Sequence, residues 1–500
     1  MNAHPSSQVQ GPTAGTAAKI NFAYLLPICL VATLGGLLFG FDSGVISGAI
    51  EPLTAKFGLS DFMKGWASGC ALVGCAAGVL LVGPISDRYG RRLAMFLAAA
   101  MFLVSAIGTA VPRWLPSLFR LDVIFDDMGL HASMEYWTFI IFRIIGGLGI
   151  GIASVSTPMY ISEITPAGVR GRLVAVNQIA IVGGIALTSF INYFIAKSGD
   201  QAWQTAIGWR WMLGMGILPA VLFALLLIPI PESPRWLIEK KREDEAKKIL
   251  EKVGGVEFAN AEFASIKTAL SQEKGTWAEL FSIGLRLPLI IGVLLAILQQ
   301  VTGINVFMYF GATIFKTMSS STGVDAGLLQ QFIINGAGVL FTVIAIATVD
   351  KWGRKPLMLV GSAGMGISLV AMGVMAQTLT DPAAASSWML IFMVLYIGCF
   401  GLSVGPVTWV ILAEIFPTAV RGRALGLATF FLWTANYVVT QTFPLMEAKD
   451  SWFVKHFHHA FPFYTYALFC VAMIVVVWRL VPETKGKSLE EIERSWSHKD

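Results

Sequence analysis

Long apolar runs dominate this sequence and limit the folds open to it. Twelve of them are each long enough, at about 20 residues, to cross the hydrocarbon core of a bilayer as a helix. They lie near residues 24–49, 65–82, 92–112, 137–157, 173–196 and 209–230, and then near 287–311, 328–349, 357–377, 388–413, 422–443 and 461–481. Only 13% of the 500 residues are charged, about half the share usual in a soluble protein. The sequence predicts an all-α membrane protein with twelve transmembrane helices, numbered here as spans one to twelve.

The basic residues indicate how these spans are oriented. An even number of spans puts both termini on one side, and with that side in the cytoplasm most of the 36 Lys and Arg residues fall in inward loops and tails. Alternating charged and apolar residues in the long polar segment predict small amphipathic helices there. We therefore expect a cytoplasmic N-terminal tail (1–23), an N-terminal six-helix bundle (24–230), a cytoplasmic helical linker (231–286), a C-terminal six-helix bundle (287–481) and a cytoplasmic C-terminal tail (482–500).

The two sets of six spans repeat each other in sequence. Asp87-Arg88-Tyr89-Gly90-Arg91 recurs as Asp350-Lys351-Trp352-Gly353-Arg354, 263 residues later. Pro231-Glu232-Ser233 recurs as Pro482-Glu483-Thr484, 251 residues later. Two repeats with the same topology predict pseudo-symmetric bundles, related by an axis along the membrane normal, with a cavity between them.

Carboxamides interrupt the apolar run of span seven. Gln299, Gln300 and Asn305 lie near its middle, and Tyr309 follows one turn later. Unpaired amides are costly in hydrocarbon, so these side chains must face other helices or a water-filled cavity. Each amide both donates and accepts hydrogen bonds, which suits an uncharged ligand rich in hydroxyl groups. The alternative is that they only hold helices together.

The backbone of span seven constrains this hypothesis. On an ideal helix Gln300 and Asn305 point about 140° apart. If both contact one ligand, the helix must bend near Gly303 or the cavity must be broad.

Two charged residues lie well inside other spans, away from the ends. Asp42 in span one and Arg143 in span four are at similar depth on the same side, so they can pair. Intramembrane charges are usually paired or functional. Because burial and a neighbouring arginine act oppositely on a carboxyl group, Asp42 can change protonation as its distance to Arg143 changes. This predicts a proton-coupling pair, and the alternative is a static structural ion pair.

The sequence lacks the residue patterns that other functional classes require. The five cysteines all lie in apolar runs without metal-ligand spacing, and no nucleotide-binding P-loop is present. We expect no enzyme, no catalytic residue, no metal, no cofactor and no nucleic-acid partner. His456, His458 and His459 could bind a metal or sense pH, but a solvated loop is favoured.

Four motifs carry a family resemblance. They are Asp-Arg-Tyr-Gly-Arg-Arg at 87–92, Pro-Glu-Ser-Pro-Arg at 231–235, Gln-Gln-x-x-Gly-x-Asn at 299–305 and Pro-Glu-Thr-Lys-Gly at 482–486. Together they resemble the major facilitator superfamily and, within it, the sugar porters, above all bacterial proton-coupled xylose and hexose symporters and then animal glucose facilitators. The resemblance implies alternating access, symport of a monosaccharide with a proton, and a monomer in the lipid bilayer of the bacterial inner membrane.

The resemblance also implies where the sugar binds. Family sugar ligands correspond to Gln178, Ile185, Gln299, Gln300, Asn305 and Trp409. Further pocket or gate positions correspond to Phe39, Tyr309, Asn335, Trp433 and Asn436. Packing is the alternative for the aromatic residues. Asn335 is expected to substitute for a family asparagine at the position of Gly338.

The residue at position 185 bears on which sugar is carried. Xylose symporters have a glutamine where this chain has Ile185, and glucose facilitators have isoleucine, so D-glucose is favoured. A D-xylose/proton symporter, an uncoupled sugar facilitator and a non-transporting sugar sensor stay as alternatives.

Charged residues recur at the cytoplasmic ends of the spans. We predict that they form an inter-helix latch that stabilises the outward-facing state, although solvated charges of this kind often contribute little. The latch residues are Asp87, Arg91, Glu163, Arg170, Asp350, Arg354, Glu414 and Arg421.

Overall fold

The computed structural model describes residues 20–110, 131–271, 276–318, 324–379, 381–417 and 420–485. Throughout these ranges the regular structure is helical and no strand occurs.

The N-terminal half contains the first six spans. Spans one to five are Phe22–Phe57, Asp61–Tyr89, Arg91–Ala110, His131–Ile164 and Ala167–Lys197. Span six covers Gln201–Leu226 and includes a π-helical turn over Gln204–Gly208. Gly90 separates spans two and three, and its φ of 100° lies in the left-handed region that side chains disfavour.

The C-terminal half repeats this arrangement with two broken helices. Span seven consists of Ile283–Val301 and Ile304–Met318, and span ten consists of Pro382–Cys399, a π-helical turn over Phe400–Val404, and Gly405–Ile415. The unbroken spans eight, nine, eleven and twelve are Val324–Trp352, Arg354–Thr378, Arg421–Met446 and Phe461–Leu480, with a short helix over Trp452–Phe457 before the last.

Eleven of the described helices are long and apolar enough to cross a membrane. Span eleven is also long, at 26 residues, but it carries buried polar side chains that include Thr429, Asn436, Thr440 and Gln441. Such a helix is stable in hydrocarbon only when its polar face packs on other helices, and span eleven packs on spans two and seven. The helices agree with the predicted all-α, twelve-span fold.

Helix ends extend beyond several apolar runs. The apolar run of span one ends near residue 49, whereas its helix continues to Phe57. The extra turns carry the charged residues Glu51 and Lys56, which lie beyond the apolar run. Backbone hydrogen bonding continues past the hydrocarbon, so hydropathy alone places a helix end too early.

Three linker helices, Pro234–Glu239, Glu243–Ser271 and Trp277–Leu280, define what we call the linker end of the bundle; the opposite end is the far end. The Trp236 indole donates to the Asp87 carbonyl at 3.1 Å, and the Asn21 amide donates to the Val253 carbonyl at 2.8 Å. The linker therefore packs against the N-terminal half near the start of span one.

Glutamates cap equivalent helices in the two halves. The Glu232 carboxylate accepts from the backbone N–H of Arg91 at 3.0 Å, at the start of span three. The Glu483 carboxylate accepts from the N–H of Arg354 at 3.1 Å, at the start of span nine. The first N–H groups of a helix lack partners within it and attract negative charge. This shared requirement explains why the Pro-Glu motif recurs.

Candidate functional site

Span seven breaks at Gly303, which is one of the two arrangements that would let Gln300 and Asn305 contact one ligand. Gly303 has a φ of +93°, and a Cβ added there would lie 2.5 Å from the Tyr466 ring, so only glycine fits. The break reorients the next helix, and the Asn305 amide donates directly to Gln300 Oε1. Two amides that would diverge on a straight helix therefore share one site.

The amides continue as a chain toward span ten. Gln300 Nε2 donates to Gln299 Oε1 at 3.2 Å, and Gln299 Nε2 donates to the Gly405 carbonyl at 3.0 Å. Gln299 thus joins span seven to the backbone of span ten where the π-helical turn ends. Gln299 anchors the site, while Gln300 and the partly exposed Asn305 are held at its centre.

Three aromatic residues of the predicted pocket or gate pack across spans one, seven and eleven. Tyr309 is hydrogen-bonded with Asn436 of span eleven. Phe39 of span one packs on Trp433 with ring centroids 5.5 Å apart. Trp433 Nε1 is buried and has no hydrogen-bond partner among the described residues. A buried indole N–H without a partner is available to a ligand oxygen.

The remaining predicted sugar ligands lie on spans five, eight and ten. Gln178 is partly exposed, Ile185 is 5% exposed and Trp409 is 38% exposed. Asn335 donates to Ser189 Oγ at 2.7 Å, so here it joins span eight to span five of the other half. Ser189, one turn from Ile185, was missed because single hydroxyls are common in apolar helices.

Asp42 and Arg143 form the predicted pair. Arg143 donates from Nη1 to Asp42 Oδ1 at 2.7 Å and from Nη2 to the Asp42 carbonyl at 3.3 Å. Arg143 is only 2% exposed. Asp42 Oδ2 and Arg143 Nε are buried and unpartnered within the described part of the chain. A buried pair whose hydrogen bonds are incomplete is sensitive to the loss of either charge.

Space for water adjoins this pair. Asp42 borders a small cavity between spans one, three and six, also lined by Phe102, Thr109 and Gly216. This cavity leaves room for about one water molecule beside the Asp42 carboxyl group.

In each half, one predicted latch arginine pairs with a predicted latch glutamate. Arg91 donates to both carboxylate oxygens of Glu163, at 2.9 and 3.1 Å, and contacts Asp87 at 3.4 Å. Arg354 donates to Glu414 at 3.1 Å in the equivalent position of the second half.

The other latch arginines contact backbone. Arg170 and Arg421 each donate to a carbonyl five residues earlier, those of Thr165 at 3.3 Å and Phe416 at 3.1 Å. Asp350 lies in span eight, but its side chain is outside the part of the chain that the structure describes.

The structure is closed at the far end. Trp66 of span two packs on Tyr437 of span eleven at 5.9 Å, and a Cβ at Gly65 would lie 2.7 Å from the Gln441 carbonyl oxygen. At the linker end, a Cβ on Gly168, Gly171, Gly422 or Gly426 would meet no atom within 4 Å. The two halves therefore meet at the far end and diverge at the linker end.

Two carboxylates near the far end were missed by sequence reasoning. Glu135 accepts from Lys56 at 2.7 Å and from Arg210. Glu51 accepts from Lys64 at 2.6 Å. A helix end placed too early hid Glu51, whereas the proximity of Glu135 to Lys56 requires tertiary structure to see.

A family model described as "Sugar (and other) transporter" matches residues 28–496. The chain belongs to this transporter family. A D-xylose-proton symporter of Escherichia coli (strain K12) is 42% identical over 486 residues, which cover 96% of this chain and 97% of the relative. An arabinose-proton symporter of Bacillus subtilis (strain 168) is 39% identical over 486 residues, covering 97% and 98%.

A solved structure of a relative matches the whole fold of this family member. It is the major facilitator superfamily proton:xylose symporter XylE bound to 6-bromo-6-deoxy-D-glucose, with a TM-score of 0.80, 43% identity, and coverage of 95% of this chain and 100% of that chain. The present chain is therefore a multi-pass membrane transporter of the major facilitator superfamily and not an enzyme.

Proposed function

We propose that this transporter carries a neutral monosaccharide together with a proton by alternating access. The observation that carries the proposal is the buried Asp42–Arg143 pair, in one half of a molecule whose other half holds the Gln300–Asn305 amides. The names of its symporter relatives support the same chemistry.

Sugar binding would exchange amide partners. Gln300 and Asn305 now satisfy each other, so a sugar hydroxyl that donates to one amide and accepts from the other replaces that bond without leaving a buried polar group unpaired. Trp433 Nε1 offers a further donor, and Trp409 offers an indole face to the C–H groups of a pyranose.

Proton coupling would act through Arg143. Protonation of Asp42 removes the negative charge that holds Arg143 at 2.7 Å, and the buried guanidinium must then find new acceptors. Because the cost of that rearrangement differs between far-open and linker-open forms, the proton biases one form over the other.

The identity of the sugar is proposed from two observations that point to different sugars. Ile185 replaces a polar residue of the xylose symporters and favours D-glucose, whereas the named relatives carry D-xylose and arabinose. A site that hydrogen-bonds each hydroxyl rejects analogues lacking one. Competition of unlabelled D-glucose, D-xylose and L-arabinose against labelled D-glucose uptake would rank them; stronger competition by D-xylose than by D-glucose would reverse the glucose proposal.

The test of symport is uptake into proteoliposomes with and without an imposed pH gradient. The wild type should accumulate sugar when the far side is acidic. Asp42→Asn should lose accumulation and keep sugar exchange at equal pH. Asp200→Asn is the matched control, because Asp200 caps span six at the Trp203 N–H and asparagine caps equally well.

Each other outcome of that test points to a different function. Unchanged uphill uptake by Asp42→Asn would overturn the coupling role. If the wild type only equilibrates the sugar across the membrane, to the same extent with and without a pH gradient, it is a facilitator. If it binds the sugar without exchanging it, it is a sensor.

We further propose that the linker end faces the cytoplasm of a bacterial cell, with both tails (1–23 and 482–500) on that side and a monomer as the working unit. The bundles 24–230 and 287–481 would then rock about the site, with 231–286 as a cytoplasmic linker. Impermeant thiol labelling of Lys449→Cys and Gly171→Cys in intact cells tests the orientation, since only the first should react from outside.

A further inference from the structure

Polar contacts join the two halves at the far end. Besides Ser189–Asn335 at 2.7 Å, Gln441 donates to the Phe62 carbonyl at 2.9 Å. A third contact involves charge, because Thr313 Oγ1 donates to Glu51 at 3.0 Å. This third contact links span one to the far segment of span seven, Ile304–Met318.

The surroundings of Glu51 separate into two groups. Lys64, at 2.6 Å, belongs to the same half as Glu51. Thr313 at 3.0 Å and Lys316 at 3.9 Å belong to the other half. The carboxylate is 25% exposed and Lys64 is 15% exposed, so these contacts are partly shielded from water and screening.

We propose that Glu51 is a gating clasp that holds the far end closed. The break at Gly303 lets Ile304–Met318 move separately from the rest of span seven. When that segment moves away, Glu51 loses Thr313 and Lys316 and keeps Lys64. Its charge therefore stays paired in both forms, and only the contacts to span seven bias the equilibrium between them.

This division predicts which substitutions act on gating. Thr313→Val keeps the side-chain shape and removes one contact specific to the closed form. Glu51→Gln removes the charge attraction to Lys316 as well. Thr442→Val is the matched control, since Thr442 is exposed near the far end of span eleven and its hydroxyl donates to Val438 of its own helix at 2.8 Å.

The experiment measures distances between spin labels in lipid nanodiscs by double electron–electron resonance. One label pair is Asp61→Cys with Lys449→Cys at the far end, and the other is Gly171→Cys with Gly422→Cys at the linker end. The native cysteines are replaced by alanine. No sugar and no pH gradient are needed, so the result is independent of whether the chain is a proton symporter.

Thr313→Val and Glu51→Gln should raise the ratio of far-open to far-closed forms by about three- to tenfold, the range for loss of one or two hydrogen bonds. Far-end distances should lengthen while linker-end distances shorten. Thr442→Val should match the wild type. Unchanged distributions in both test variants, or an equal shift in the control, would overturn the clasp.

Discussion

Gln299 and Gln300 are adjacent in sequence and have different tasks. Gln299 donates to the backbone of span ten, whereas Gln300 bonds only side chains, those of Gln299 and Asn305, among the contacts shown for the described residues. Burial is nearly equal, at 3% and 6% exposed. The type of hydrogen-bond partner, and not the depth of burial, distinguishes the anchor Gln299 from Gln300, which we propose as a sugar ligand.

Gln300→Leu should therefore weaken sugar binding and lower thermal stability less than Gln299→Leu does. Loss of one or two neutral hydrogen bonds predicts a rise in KM of about three- to thirtyfold. Gln299→Leu should lower the Tm in detergent further, because the span ten carbonyls lose their donor. Uptake kinetics and thermal melts of both variants provide the comparison, and equal KM effects with equal melts would contradict this division.

The cost of unpaired amides in hydrocarbon predicted from sequence that Gln300 and Asn305 face polar partners or a cavity, and the cost of buried charge predicted that Asp42 pairs with Arg143. The structure shows these contacts, and the roles in sugar binding and proton coupling stay predictions. Ser189, Thr313 and Glu51 were not predictable in this way. A hydroxyl in an apolar helix bonds its own backbone equally well, so only tertiary structure shows which ones reach the other half.

At the scale of the helix, Glu232 and Glu483 cap equivalent helix starts, but their pKa values are shifted in opposite directions. Burial raises the pKa of Glu232, and the N–H donors of Ser233, Arg92 and Arg91 do not overcome it. Burial also pushes the pKa of Glu483 upward, but the N–H donors of Lys485, Arg354 and Lys355 outweigh it and lower that pKa.

These directions predict opposite pH dependence. With a lowered folded pKa, Glu483 contributes stability above its unfolded value of about 4.5 that is lost as pH falls through the folded pKa. With a raised pKa, Glu232 carries a penalty at neutral pH that acid relieves. The Tm deficit of Glu483→Gln should thus shrink as the pH falls below about 4.5, whereas that of Glu232→Gln should grow as the pH falls from neutral toward about 4.5. Parallel trends in thermal melts would contradict the assignment.

The repeated Pro-Glu motif predicted two equivalent halves, and the structure shows that both glutamates cap helices through backbone N–H groups. Their different pKa directions were not readable from sequence because they depend on how deeply each loop is covered. The number of helices could be predicted from hydropathy because the thickness of the hydrocarbon core sets the length of the apolar part of each span. The helix ends could not, because the helices continue beyond that apolar part.

At the scale of the molecule, contacts at the far end and contacts at the linker end stabilise different forms of the transporter. The far end is held by contacts such as Glu51–Thr313, whereas the linker end holds Arg354–Glu414 at 3.1 Å within one half. If the linker-end charges join the halves when that end closes, as the latch proposal requires, they stabilise the far-open form. The internal repeat in the sequence predicted where these charges lie. Which form they stabilise depends on the difference in their contacts between the far-open and linker-open forms, and the sequence does not give those contacts.

Glu414→Gln should therefore shift the label distances opposite to Thr313→Val, toward the linker-open form. Glu257→Gln, on an exposed linker helix position, serves as control. Because the two sites are at opposite ends and share no partner, their effects should add, and the double variant Thr313→Val/Glu414→Gln should return close to the wild-type distribution. A double variant indistinguishable from Thr313→Val alone would show that the Glu414 charge does not differ in free energy between the two forms.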